Sequence, residues 1–378
     1  MAKRILALLS VLTMVFGLCA GCGTGGAGAL KVRYTLSDEE KLTKFFMDRE
    51  YALDADSAKI TEAELERAEA FLAEHVLEAA ESGDSAFDIK IGDTQFAQDI
   101  KNWDLASEQT GDDETKTDYT LTYTKSGEPL TVTVYATLYK AYPVIEWTIW
   151  LTNTGDANSA QITDFNALGY VFGAEQADSQ FKLTTFEGSH EANDSFKAET
   201  LVLDKDQSKQ VSGTGGKSSV TWSPYINLQW ASEKAAWGKE GVFISNGWSG
   251  QWTTISSNTG SGVEVVAKQE YLDTYLAPGE SIRSPLITLL FWEKDLMRSQ
   301  NIWRDWVYNV AMPQPDGEPI PTMLHGNTAQ DTALTVTATT ENQVEAIQKW
   351  MELGFDIDAW QMEGADNYGN VQFTGYYT

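Results

Sequence analysis

Between Phe87 and Leu290 apolar and polar residues alternate in short runs, and a period of two sustained over roughly 200 residues leaves an antiparallel β fold as the way to bury one face of each run. Tyr119-Thr120-Leu121-Thr122-Tyr123-Thr124 and Leu130-Thr131-Val132-Thr133-Val134-Tyr135 are two such runs. Val144-Ile145-Glu146-Trp147-Thr148-Ile149-Trp150-Leu151 adds β-branched and aromatic strand formers, and Asn153-Thr154-Gly155-Asp156 after it supplies turn chemistry. A unit of this size exceeds an immunoglobulin-type domain, so a large, many-stranded β-sandwich over 86–312 is predicted.

Different periods flank that unit. Over 37–85 the chain reads as helical, with a capping box at Thr61 and Glu64 ahead of Leu65, Ala68, Phe71, Leu72, His75, Val76 and Ala79, so one helix is predicted over 61–82 with Gly83 as its stop. Pro313, Pro315, Pro319 and Pro321 mark a seam. Beyond it, a strand within 321–327, a helix capped by Thr340 with Gln343 at the box position, and a strand over 355–360 form a β-α-β sequence. The predicted apolar face of that helix is Val344, Ile347, Trp350, Met351 and Leu353. A parallel (β/α)8 barrel opens in this way, but it takes about 250 residues. Fewer than 60 follow Pro321, so 313–378 is expected to be a linker and the incomplete start of such a barrel.

At the N-terminus Lys3 and Arg4 precede an apolar run from Ile5 to Leu18, the layout of an export signal. The run closes on Leu18-Cys19-Ala20-Gly21-Cys22, which resembles the site where bacterial lipoprotein signals are cut. Residues 1–22 are then the signal, Cys22 the lipid-bearing residue, and the glycine-rich 23–36 a flexible tether. An ordinary secretory signal cut after small residues is the alternative, and both readings export the protein. A surface lipoprotein attached to the membrane through that lipid is expected. With 55 acidic and 27 basic residues the chain carries a net charge of -28, which repels nucleic acid.

Several weak signals resolve to nothing. Gly213-Thr214-Gly215-Gly216-Lys217-Ser218 imitates a phosphate loop but leads into strand-like residues rather than a helix. Asp54 and Asp56 lack the rest of a calcium loop, and His75, His190 and His325 have no metal-site spacing. No metal and no cofactor are expected.

Six segments, in order, resemble bacterial α-galactosidases of glycoside hydrolase family 36. They are Tyr142-Pro143-Val144-Ile145-Glu146-Trp147, Gly215-Gly216-Lys217-Ser218-Ser219, Pro224-Tyr225-Ile226-Asn227-Leu228, Gly247-Trp248-Ser249-Gly250-Gln251-Trp252, the stretch from Leu276 to Pro285, and Asn301-Ile302-Trp303-Arg304-Asp305-Trp306. The resemblance implies a β-sandwich ahead of a barrel that hydrolyses terminal α-galactosides with retention, through two carboxylates about 5 Å apart. Those carboxylates belong to later barrel strands, so no catalytic residue is expected within this chain and the fragment itself is expected to be inactive. A galactose-contacting segment of the family resembles Asp358-Ala359-Trp360-Gln361-Met362-Glu363-Gly364-Ala365, with Glu363 in place of an aspartate. Asp358, Trp360 and Glu363 are therefore candidate sugar contacts, joined by Trp248 from the most specific motif. Most of the 13 tryptophans are expected in the core. The alternative function is a surface lipoprotein that binds polysaccharide without cleaving it. Either way the expected partner is an oligo- or polysaccharide.

Overall fold

In the computed structural model, residues 58–174, 180–189, 195–231, 239–317, 323–327, 339–355 and 357–361 are described, all within one compact unit spanning Asp56–Thr378. The alternating runs form strands in chain order. The first seven are β1 (Asp88–Ile91), β2 (Thr94–Gln95), β3 (Asp104–Asp112), β4 (Lys116–Thr124), β5 (Leu130–Tyr139), β6 (Val144–Asn153) and β7 (Ile162–Phe172). There follow β8 (Gln180–Glu187), β9 (Ala198–Val202), β10 (Ser208–Ser212), β11 (Trp222–Ala231), β12 (Glu240–Gly247) and β13 (Trp252–Asn258). The sandwich closes with β14 (Val263–Gln269), β15 (Asp273–Thr274), β16 (Ser281–Arg283) and β17 (Leu286–Glu293).

These strands make two antiparallel sheets. One has ten strands ordered β3-β4-β5-β6-β17-β12-β11-β8-β9 with β16 beside β6, and the other has seven ordered β10-β13-β14-β7-β1-β2 with β15 beside β7. Strict alternation on β6 sends Ile145, Trp147, Ile149 and Leu151 into the core, where they meet Ile89, Ile162, Ala167 and Val265 of the facing sheet. The Trp147 indole ties the layers together by donating to the Ala167 carbonyl at 2.9 Å.

β17 breaks the alternation, since Ile287 through Trp292 are buried on both faces. The reason is helix α2 (Leu296–Trp306), capped by the Asp295 side chain and folded back over the outer face of the large sheet. Ile302, Trp303 and Trp306 of this helix pack on Val144, Phe243, Leu290 and Trp292 to make a second, smaller core.

Helix α1 (Glu62–Leu72) starts at Thr61 with the predicted capping box, Glu64 returning to the Thr61 amide at 2.9 Å. The helix predicted over 61–82 is not uniform: after Leu72 it passes through a π-helical turn (Ala73–Leu77) and resumes as Ala79–Ser82 before Gly83, whose φ of 74° suits glycine at a helix stop. Phe71 reaches into an aromatic cluster with Trp147, Phe172 and Phe291.

Glu64 does more than cap. It is fully buried and pairs through both oxygens with the Arg298 guanidinium of α2, while the Glu293 amide donates to it at 2.8 Å. Burial alone would raise its pKa, but the Arg298 hydrogen bonds and the Thr61 and Glu293 amides outweigh that and hold the carboxyl below its ordinary 4.5.

Past the seam the structure contains β18 (His325–Asn327), helix α3 (Thr340–Glu352) and β19 (Ala359–Gln361), with β18 and β19 parallel. Within the predicted 321–327 and 355–360, the described residues 323–324, 355 and 357–358 are not strand, and the second strand runs one residue further, to Gln361. The helix cap also differs, being Thr339 with Asn342 rather than Thr340 with Gln343, because Asn342 is the residue whose side chain returns to the extended N-cap amide. The predicted apolar face is largely open: Val344, Trp350, Met351 and Leu353 are exposed, and the buried positions are Gln343 and Ala346. The side chain of Gln343 explains the rotation, accepting from the Trp360 indole at 3.0 Å and so turning its own face toward β19.

Candidate functional site

Gly247-Trp248-Ser249-Gly250-Gln251-Trp252 is the corner where the chain leaves the ten-stranded sheet at the end of β12 and enters the seven-stranded sheet at β13. A chain that changes sheets must satisfy backbone groups that neither ladder serves. Buried Asn246 does part of this, its amide donating to the Thr253 carbonyl at 2.9 Å and the Lys268 carbonyl at 3.2 Å. Trp252 is wholly buried and donates to the Ser218 carbonyl at 2.7 Å.

Gln251 clamps the glycine loop against this corner. Its amide donates to the Gly213 carbonyl at 2.5 Å and the Glu270 carboxylate at 2.7 Å, and its oxygen accepts from the Gly216 amide at 3.0 Å. The Ser218 hydroxyl donates to the Trp248 carbonyl at 2.9 Å. Two motifs far apart in sequence thus form one structural unit. The loop closes in a tight Thr214–Lys217 bridge and runs on into β11, not into a helix, so it has no anion-binding helix end.

Trp248 sits half-buried at this corner, packed against the main core with the Arg283 guanidinium 5.0 Å over its ring. The open part of such a ring offers stacking on C–H surface, with the Arg283 guanidinium beside it as a donor for hydroxyls. Arg283, Gln251 and Glu270 were not among the sequence candidates. The motif itself was the available signal for Gln251, and Arg283 lies in the Leu276–Pro285 segment of the resemblance, whereas Glu270, in the turn after β14, carries no local mark.

Asp358 and Trp360 lie elsewhere, in the β18–α3–β19 unit. The Asp358 carboxylate accepts from the Leu324 amide at 2.8 Å, and the Trp360 ring packs edge-on against Trp350. Their polar groups hold that unit together, and their described contacts share no residue with those of Trp248. Glu363, Cys22 and His190 lie outside the described residues. His75 is buried, with Nε2 3.0 Å from the Tyr170 hydroxyl. Among the described residues no group of three or more His, Cys, Asp or Glu could hold a metal ion.

No family model matches the chain. Its fold is that of solved glycoside hydrolase family 36 α-galactosidases. One from Geobacillus stearothermophilus, crystallised with 1-deoxygalactonojirimycin, is 15% identical with a TM-score of 0.54, covering 74% of this chain and 39% of that one. The galactosidase domain of an α-galactosidase-sucrose kinase is 16% identical, with the same score and coverage. An α-galactosidase from Lactobacillus brevis is 10% identical at a TM-score of 0.52, covering 74% and 38%. The chain therefore spans about two fifths of the length of these structures. The Geobacillus enzyme has also been crystallised with stachyose and with raffinose. Separately, 45 residues are 62% identical to membrane-bound lytic murein transglycosylase A of Escherichia coli, a local likeness over 10% of this chain and 12% of that protein.

Proposed function

We propose that this chain carries the noncatalytic β-sandwich of an exported glycoside hydrolase acting on α-galactosides, and that it binds such sugars at the Trp248 corner without cleaving them. The fold likeness over 74% of the chain supports the enzyme class. The half-open Trp248 ring with Arg283 above it supports the place of sugar contact. Retaining hydrolysis needs two carboxylates about 5 Å apart on one cavity. Of two cavities among the described residues, the one of about 490 Å³ is lined by a single acid, Glu146, while the other, lined by Asp99 and Glu128, holds only about 50 Å³ and has Asp99 paired with Lys125 at 2.5 Å.

The reading is tested on the full chain with p-nitrophenyl α-galactoside and with raffinose. No turnover above a blank is expected, and Trp248→Ala is expected to weaken raffinose binding about tenfold. Clear release of nitrophenol, or raffinose affinity untouched by Trp248→Ala, contradicts it. Among the described residues no helix is long and apolar enough to cross a membrane. We propose attachment through a lipid on Cys22, which predicts that labelled palmitate is incorporated in cells and that Cys22→Ser abolishes the label.

A further inference from the structure

The outer face of the ten-stranded sheet carries a row of polar side chains that packing does not require. Phe243, Leu290 and Val144 lie in register across β12, β17 and β6, and α2 covers them. Two residues along the same face, the registered positions are Tyr225 on β11, Ser245 on β12, Thr288 on β17 and Glu146 on β6. Four neighbouring strands thus present hydroxyls and a carboxyl in one line. Over that line Trp303 and Trp306 of α2, with Tyr308 just after it, wall a cavity of about 490 Å³.

The polar groups there have capacity left. One Glu146 oxygen accepts from the Tyr139 hydroxyl at 2.8 Å and the other from Thr288 at 2.7 Å, so each keeps a second lone pair. Trp306 is 3% exposed, and its indole N–H has no partner, an unusual state for a buried donor. Leu286, Val307, Ala311 and Met312 line the cavity beside the aromatic rings, so its walls are mainly apolar and the polar row is a narrow strip along its floor. Arg304 lines the same cavity as Glu146, so the pair of opposite charges favours neither a cation nor an anion there.

A neutral ring fits this arrangement, with C–H faces for the apolar and aromatic walls and hydroxyls for the polar strip, in a volume within the range of about 300–1,000 Å³ usual for small-molecule sites. We propose that this cavity is a second saccharide site, holding a neutral hexose unit of an oligosaccharide between the Glu146–Thr288–Ser245 row and the Trp303–Trp306 wall. It stands on its own geometry and does not depend on the α-galactoside reading or on Trp248.

The test is a titration of the full chain carrying Trp248→Ala with raffinose and with maltotriose, followed by tryptophan fluorescence. Saturable binding is expected to persist in that background. Adding Tyr308→Ala, a side chain 53% exposed and so removable without unfolding, or Glu146→Gln is expected to weaken it about tenfold. Thermal melts of each variant confirm that the fold is kept. If Trp248→Ala removes all saccharide binding, or if the residual binding ignores both cavity substitutions, the second site does not exist. If the cavity variants weaken binding while Trp248→Ala alone changes nothing, the cavity stands and the Trp248 assignment falls.

Discussion

The buried Glu64–Arg298 pair shows how one side chain serves three ends: it caps α1, anchors α2 and accepts the Glu293 amide. Arg298→Ala leaves a fully buried carboxylate without its counter-ion and is expected to destabilise the sandwich by about 3–5 kcal/mol in urea unfolding. The pH dependence has a definite sign. Because the folded carboxyl titrates below its ordinary 4.5, its contribution is complete above that pH and disappears as pH falls through the lower folded value. Glu64→Gln should therefore flatten the acid side of the stability profile, and an unchanged profile would deny the pair that role. Gly241 is constrained differently. A Cβ there would meet the Leu228 carbonyl and lie 2.6 Å from the Trp292 ring, whose indole donates to Asn227 at 2.9 Å. Gly241→Ala is expected to cost about 1–3 kcal/mol through this overpacking, with loss of Trp292 fluorescence anisotropy before global unfolding.

At the level of elements, the strands were legible in the sequence because each has one face in the core, which writes a period of two directly into residues such as Val132, Val134, Ile149 and Leu151. β17 was not legible in the same way. Its near-continuous apolar run fits burial on both faces, but that α2 is the element covering the outer one is a tertiary fact that no local pattern in 286–293 records. The α1 cap was plain at Thr61 and Glu64, yet the π-helical turn at Ala73–Leu77 left the apolar spacing intact and so was invisible. For α3 the apolar residues misled: amphipathic spacing gave Val344, Trp350 and Met351, whereas the hydrogen bond between Gln343 and Trp360 chose the buried side. The Asp295 cap sets the angle at which α2 leaves β17, its carboxylate accepting from the Arg298 amide at 2.9 Å. Asp295→Ala is expected to cost about 1 kcal/mol and to speed amide exchange in the first turn of α2.

Over the whole molecule, the sandwich class and the Trp248 motif could be read from the sequence, but the surroundings that give Trp248 its chemistry could not. Arg283 reaches its ring from β16, and Glu146, though it stands in a segment of the resemblance, has no visible cavity around it until β17, β12 and α2 surround it. Such neighbours are fixed by sheet order, and sheet order is set by the assembled core rather than by any single segment. The same order leaves the ten-stranded sheet with an outer face that α2 covers only in part, and the second proposed sugar site lies beneath α2 on that face. Calorimetric titration of the full chain with raffinose distinguishes recognition from catalysis in one trace. A saturable series of injections, each returning to baseline, is expected; a continuous hydrolysis heat after mixing, or no heat beyond dilution, would contradict the assignment of this sandwich to sugar binding without turnover.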